Sequence, residues 1–275
     1  AGRSTFGSGG SVLVVSGVAN NSDSGAVVVG TAESGWLGTS GGVQISTGAS
    51  LAGPSGDMDL TTGDAIAGAA GDISLEVGTG NTGDAGDVVL TAGHTSAASS
   101  KGGDVIVSAG GSQLSTGGSV LVGSGSGAAT DSGNVVVSTA HAGTSGVSGA
   151  LQGSTGSSTA GTSGLVELMS GNATQGAGGS MSVAVGTGNS GRGGAATFTG
   201  GETSDSASAG GLVSVMAGLG SSTEVLGGGS GGDLVLEGGA ALGGNATVDL
   251  GGDVRINGGS SQAASGGEIR AMSGR

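Results

Sequence analysis

Asp57, Asp72, Asp87 and Asp104 recur at near-constant spacing, each directly after a glycine, and Asp233 and Asp253 repeat the pattern later. Carboxylates brought into a row repel one another unless cations or hydrogen-bond donors lie between them. The chemistry such a row offers is a line of Ca²⁺ sites, because hard cations take carboxylate and carbonyl oxygens. Two features weigh against it. The equivalent places further along hold Leu165, Ser180, Ala195 and Leu212, and the dense Gly-Gly-x-Gly-x-Asp nonapeptide of calcium-binding β-rolls does not occur. A solvated acidic edge is the favoured reading, with calcium the only cofactor the composition offers and no metal site assigned.

Catalytic chemistry has less to work with. A nucleophile needs a histidine or carboxylate within hydrogen-bond reach. His94 and His141 occupy the same place in the repeat three units apart, and Glu202 and Glu33 stand at their counterparts. Lys101 and five scattered arginines make no basic or catalytic cluster, and the many Gly-x-Gly-x-x-Gly strings follow from 70 glycines without opening a helix. The sequence therefore predicts no enzyme.

Composition bounds the rest. Ser, Thr and Ala accompany the glycines, and only Phe6, Trp36 and Phe198 are aromatic among 275 residues, so no conventional core can be assembled. One proline and no three-residue period exclude collagen. A net charge of −14 repels phosphate backbones, so nucleic acid is not an expected partner. Zero cysteines removes disulfides and thiolate sites. No apolar run approaches the ~20 residues of a membrane span.

The elements that would position these side chains come from an internal repeat. With a glycine as position 0, units begin at Gly10, 25, 41, 56, 71, 86, 103, 118, 133, 149, 164, 179, 194, 211, 232, 252 and 267. Positions +2 and +4 are almost always apolar, as in Val120-Leu121-Val122, and +7 is glycine except at Ala32 and Ala140. The spacings that run from Gly10 to Gly103 run again from Gly118 to Gly211, so seven units together form a longer repeat. It returns Gly9–Gly17, GGSVLVVSG, as Gly117–Gly125, GGSVLVGSG. The predicted fold is all-β: a β-solenoid, or parallel β-helix, of about seventeen coils, with +2 and +4 stacked inside and glycines at 0 and +7 turning corners with φ > 0. Residues 1–8 form a lead-in, 9–116 a first block, 117–218 a second, and 219–275 a degenerate third. A flexible Gly/Ser linker would not hold an apolar column through seventeen units. A sandwich or barrel would need hairpin turns, and Asn-Gly occurs only at Asn257–Gly258.

Surface positions carry the functional expectations. Position +3 should face outward, and Val89, Ile106, Leu121 and Val136 put an apolar stripe there in four consecutive units, an assembly surface or a face covered by the same chain. Position +6 holds Ser16, Thr31, Thr47, Thr62 and again Ser124, Thr139, Thr155, Ser170. Regular Thr columns resemble insect-type ice-binding proteins, although Val77, Ala92, Ala109 and Val185 interrupt this one. Asn20, Asn172 and Asn245 begin Asn-x-Ser/Thr triplets, which in a secreted protein of a eukaryote would accept N-glycans.

The phrases SGNVVVSTAHAGTSGVSGAL and GGSMSVAVGTGNSGRGGAATFTGGE resemble the long Gly/Ser-rich repeat proteins of the cell surface or extracellular matrix in algae, diatoms especially. That resemblance implies a structural or adhesive protein. The expected task is thus a building block of a filament, wall layer or coat, self-associating or joined to matrix components through repeated weak contacts. An ice-, cation- or mineral-binding surface is the alternative.

Overall fold

The computed structural model describes residues 2, 4, 7–245 and 247–274. It divides into two compact units, Ala1–Val136 and Val137–Arg275. Within the lead-in, positions 1, 3, 5 and 6 lie outside the described residues.

Within both compact units the chain alternates between two kinds of segment. From position 0 to +7 it runs without bend or turn in all seventeen repeats. Between +7 and the next position 0 it turns, in most repeats at about +10 to +12, as at 20–22, 51–53, 66–68 and 113–115 in the first and 159–161 and 174–176 in the second, and later in the longest loops, at 225–227 and 247–248. The two ends of that turning segment come together: the position-0 amide donates to the carbonyl of the preceding +7 glycine. In the first compact unit these bonds are Gly25 to Gly17 (3.0 Å), Gly103 to Gly93 (2.9 Å), Gly118 to Gly110 (2.9 Å) and Gly133 to Gly125 (2.9 Å). In the second they are Gly211 to Gly201 (2.8 Å), Gly232 to Gly218 (2.9 Å), Gly252 to Gly239 (2.8 Å) and Gly267 to Gly259 (2.8 Å). Each repeat whose neck closes in this way is an Ω-like loop tied at its base.

Loop length varies while the neck stays the same. The short loop between Gly110 and Gly118 and the much longer one between Gly218 and Gly232 close with the same bond, so the wider spacings after Gly211 are absorbed in the loop. The slightly longer repeats that begin at Gly25, Gly86, Gly133 and Gly194 tighten their turn with an i to i+3 bond: Gly38 to Gly35, Ser100 to Ala97, Gly146 to Gly143 and Ser208 to Asp205. The first and third of these occupy equivalent places in the two blocks, as do the second and fourth. Several of the shorter repeats use a side chain instead, with Ser50 and Ser112 hydroxyls accepting from the amides of Gly53 and Ser115.

Whether a neck closes depends on position +6. Where +6 is Ser16, Ala92, Ala109, Ser124, Gly200, Ala217, Gly238 or Gly258, the bond forms. Where it is β-branched (Thr31, Thr47, Thr62, Val77, Thr139, Thr155 or Val185) no such bond is found among the described residues, and Ser170 is the one small residue that joins this group. The cause is steric. A Cβ placed on Gly194 would lie 2.8 Å from Val185 Cγ1, and one on Gly86 would lie 3.1 Å from Val77 Cγ1. A branched +6 side chain thus fills the space against the glycine and holds the neck open.

These observations correct the expected fold. Among the described residues there is no strand and no helix, so the chain is not an all-β solenoid or parallel β-helix of seventeen coils. The backbone bonds that do form lie at necks and turns, leaving successive apolar triplets without a shared ladder. No described residue is buried. Val120 at +2 is 54% exposed, Leu121 at +3 is 96% and Val122 at +4 is 74%. Position +2 is the least exposed of the three, yet neither it nor +4 makes an inner column. The accessible surface of 26964 Å² is well over twice the roughly 10,000 Å² of a compact chain of 24.6 kDa. A glycine-rich chain loses much backbone entropy on ordering and has few large side chains with which to offset it.

The glycines also serve otherwise than expected. Among the described residues, positive φ occurs only at Gly83 (78°) and Gly191 (74°), both in the turn and at equivalent places in the two blocks. Positions 0 and +7 are not left-handed corners. Position 0 is glycine because a neighbouring chain segment passes close to it, and +7 has open space in most repeats, which is why Ala32 and Ala140 are accepted there.

Candidate functional site

The acidic series lies in the first compact unit at the start of four bend-free segments, at Asp57, Asp72, Asp87 and Asp104, all exposed. The structure does not gather them. Among the described residues no three Asp, Glu or His side chains stand close enough to hold a metal ion. Asp104 turns instead to Lys101, with Nζ 2.8 Å from Oδ2. Further along, Asp253 at +1 pairs with Arg255 at +3 (2.8 Å), and Glu268 pairs with Arg270 in the same way (2.5 Å). Positions +1 and +3 therefore share a side of the segment, and where +3 is basic the carboxylate is matched inside its own repeat. At Asp57 and Asp59 the same two places carry like charges.

Val89, Ile106, Leu121 and Val136 at +3 lie in the first compact unit and are exposed, as are the +2 and +4 residues beside them. Nothing among the described residues covers them. His94 and His141 are exposed at +8, each in a different compact unit. The +6 hydroxyl residues are mostly exposed, yet Thr31, Thr62 and Thr155 lie against the following position-0 glycines, and Thr155 Oγ1 donates to the Gly164 carbonyl at 3.2 Å.

Of the three glycan-acceptor triplets, Asn20 lies in a bend and Asn172 just before one, both exposed. Asn245 is held more firmly, since its Oδ1 accepts from the amide (3.1 Å) and hydroxyl (2.8 Å) of Thr247 while its own amide donates to Asp249 Oδ2 (2.7 Å).

The Ser208 hydroxyl, with the amides of Ala207 and Ser206, holds Asp205 below the usual aspartate range. Its counterpart in the first block is Ala97, and Thr95 and Thr203 cap the two equivalent turns by accepting from the amides of Ala97 and Asp205.

The residues that the register alone did not single out are at the loop tips. Trp36, Leu37, Leu51 and Ile66 are exposed at 105, 104, 105 and 105%, more than in a model peptide, because each stands at the turn of its loop. The signal was present in the alignment of the two blocks, where Thr144, Ser145, Thr159 and Thr174 occupy the equivalent places. Comparison with protein-family models, curated proteins and solved structures finds no match.

Proposed function

We propose that the chain is an extracellular structural and adhesive repeat protein, a building block of a filament, wall layer or surface coat. Its contacts are many and individually weak, and their regular spacing lets a partner of the same period engage several at once. The observation that carries this reading is the apolar triplet repeated along the chain yet left open to water, including Val89, Ile106, Leu121 and Val136 at +3. A chain with this much uncovered aliphatic surface gains most of its burial between molecules rather than within one. The likeness to Gly/Ser-rich algal surface proteins supports the same task. Glycans at Asn20, Asn172 and Asn245 would suit a secreted location.

The test is assembly itself. Purified chain, concentrated at moderate salt, is expected to form fibres or sheets in negative-stain micrographs and to sediment with a concentration-dependent coefficient. Strictly monomeric sedimentation at millimolar concentration, with no assemblies on the grid, would refute the reading.

A further inference from the structure

The loop tips of the first block carry a contact chemistry that the repeat does not require. Trp36, Leu37, Leu51 and Ile66 fall at +10 to +12 of three successive repeats and are fully exposed. They support no core, and their counterparts Thr144, Ser145, Thr159 and Thr174 make equally good turns. The Trp36–Leu37 tip is fixed by the bond from the Gly38 amide to the Gly35 carbonyl (3.2 Å), and the Leu51 tip by the Ser50 hydroxyl on the Gly53 amide (3.1 Å). Trp36 makes no hydrogen bond among the described residues, so its indole N–H is free for a wet boundary.

We infer that these three tips form a docking site for an uncharged lipid surface, entered by the Trp36, Leu37, Leu51 and Ile66 side chains. Charge selects this occupant. Between Arg3 and Lys101 there is no Lys or Arg, while nine Asp and Glu lie in the same stretch. Anionic headgroups are repelled by that stretch. A zwitterionic bilayer carries no net charge and offers an apolar interior beneath an interface that tryptophan favours. Each tip alone binds weakly; three on one chain act together.

The chain contains one tryptophan, so its fluorescence reports on the site without a label. Titration of the whole chain with phosphatidylcholine vesicles is expected to shift Trp36 emission to the blue and shield it from acrylamide. The double variant Leu51→Thr, Ile66→Thr keeps the reporter and copies the second block, and its partition should fall at least tenfold. An unchanged Gly53 amide resonance, reporting its bond to the Ser50 hydroxyl, would show that the Leu51 turn is intact. Adding phosphatidylserine to the vesicles should weaken binding. An unshifted spectrum, equal partition by the double variant, or tighter binding to anionic vesicles would each overturn the inference. A shift that follows protein concentration without lipid would overturn it in favour of a second copy.

Discussion

Residues 9–116 and 117–218 are written on one register and carry different chemistry on it. Their necks close in the same order: a bond at the first neck, none at the next four, then bonds at the last two. Their hydrogen-bonded turns and left-handed glycines fall at equivalent places, Gly38 with Gly146, Ser100 with Ser208 and Gly83 with Gly191. Against this common frame the first block holds ten acids and the second four, with one basic residue in each. The first places Trp36, Leu51 and Ile66 at tips where the second places Thr144, Thr159 and Thr174. Local geometry thus depends on a few residues, glycine at position 0 and a small or branched side chain at +6, and leaves tips and edges free to diverge.

The largest expected effects come from moving a neck from one class to the other. Ala109→Val should open the neck at Gly118, and Val77→Ala should close the one at Gly86. Each changes local opening by about 1 kcal/mol, roughly fivefold in amide exchange. In the same way, Gly211→Ala would bring a Cβ within 2.8 Å of the Gly201 amide nitrogen and break the bond, whereas Gly201→Ala meets nothing within 4 Å. Exchange at residue 211 should rise in the former and stay within experimental scatter in the latter. Equal effects at both glycines would end the distinction between position 0 and +7.

A tip transplant sharpens the comparison next. Thr144→Trp with Ser145→Leu, in a chain carrying Trp36→Thr and Leu37→Ser, should restore part of the vesicle response from the second block, because turn 143–146 has the same bond as turn 35–38. No recovery would mean that surroundings outside the tip decide the contact.

Smaller effects concern single charges. Asp205, held low by Ser208, favours its turn above the ordinary aspartate value, and this contribution disappears as pH falls through the lowered one. Below about pH 4 the Ser208 amide resonance should move while that of Ser100, in the equivalent turn without the carboxylate, stays in place. Asp205→Ala should abolish the difference. Smallest is Lys101→Ala, which removes an exposed ion pair with Asp104 and should alter stability by no more than ~0.5 kcal/mol, an effect that salt erases.

The register and the longer period of seven units were legible in the sequence, because spacing alone determines them. Pairing between repeats was not. Val105, Val120 and Val135 recur at fixed intervals whether or not their backbones share hydrogen bonds, and at 60, 54 and 54% exposure they line no closed interior. Glycine misled for a related reason. A glycine chosen for close approach, like Gly194 against Val185, reads the same in sequence as one chosen for positive φ, like Gly191. The tips escaped because Leu51 and Ile66 lie in segments otherwise made of small turn residues, where the apolar column gives no warning.

Site-resolved hydrogen exchange across the whole chain tests the central claim most directly. Amides of Gly25, Gly103, Gly118, Gly133, Gly211, Gly232, Gly252 and Gly267 should be protected, and those of the triplets, such as Val120 to Val122, should exchange at nearly unprotected rates. Protected triplet amides beside freely exchanging neck glycines would contradict it, because only backbone pairing between repeats could produce that pattern.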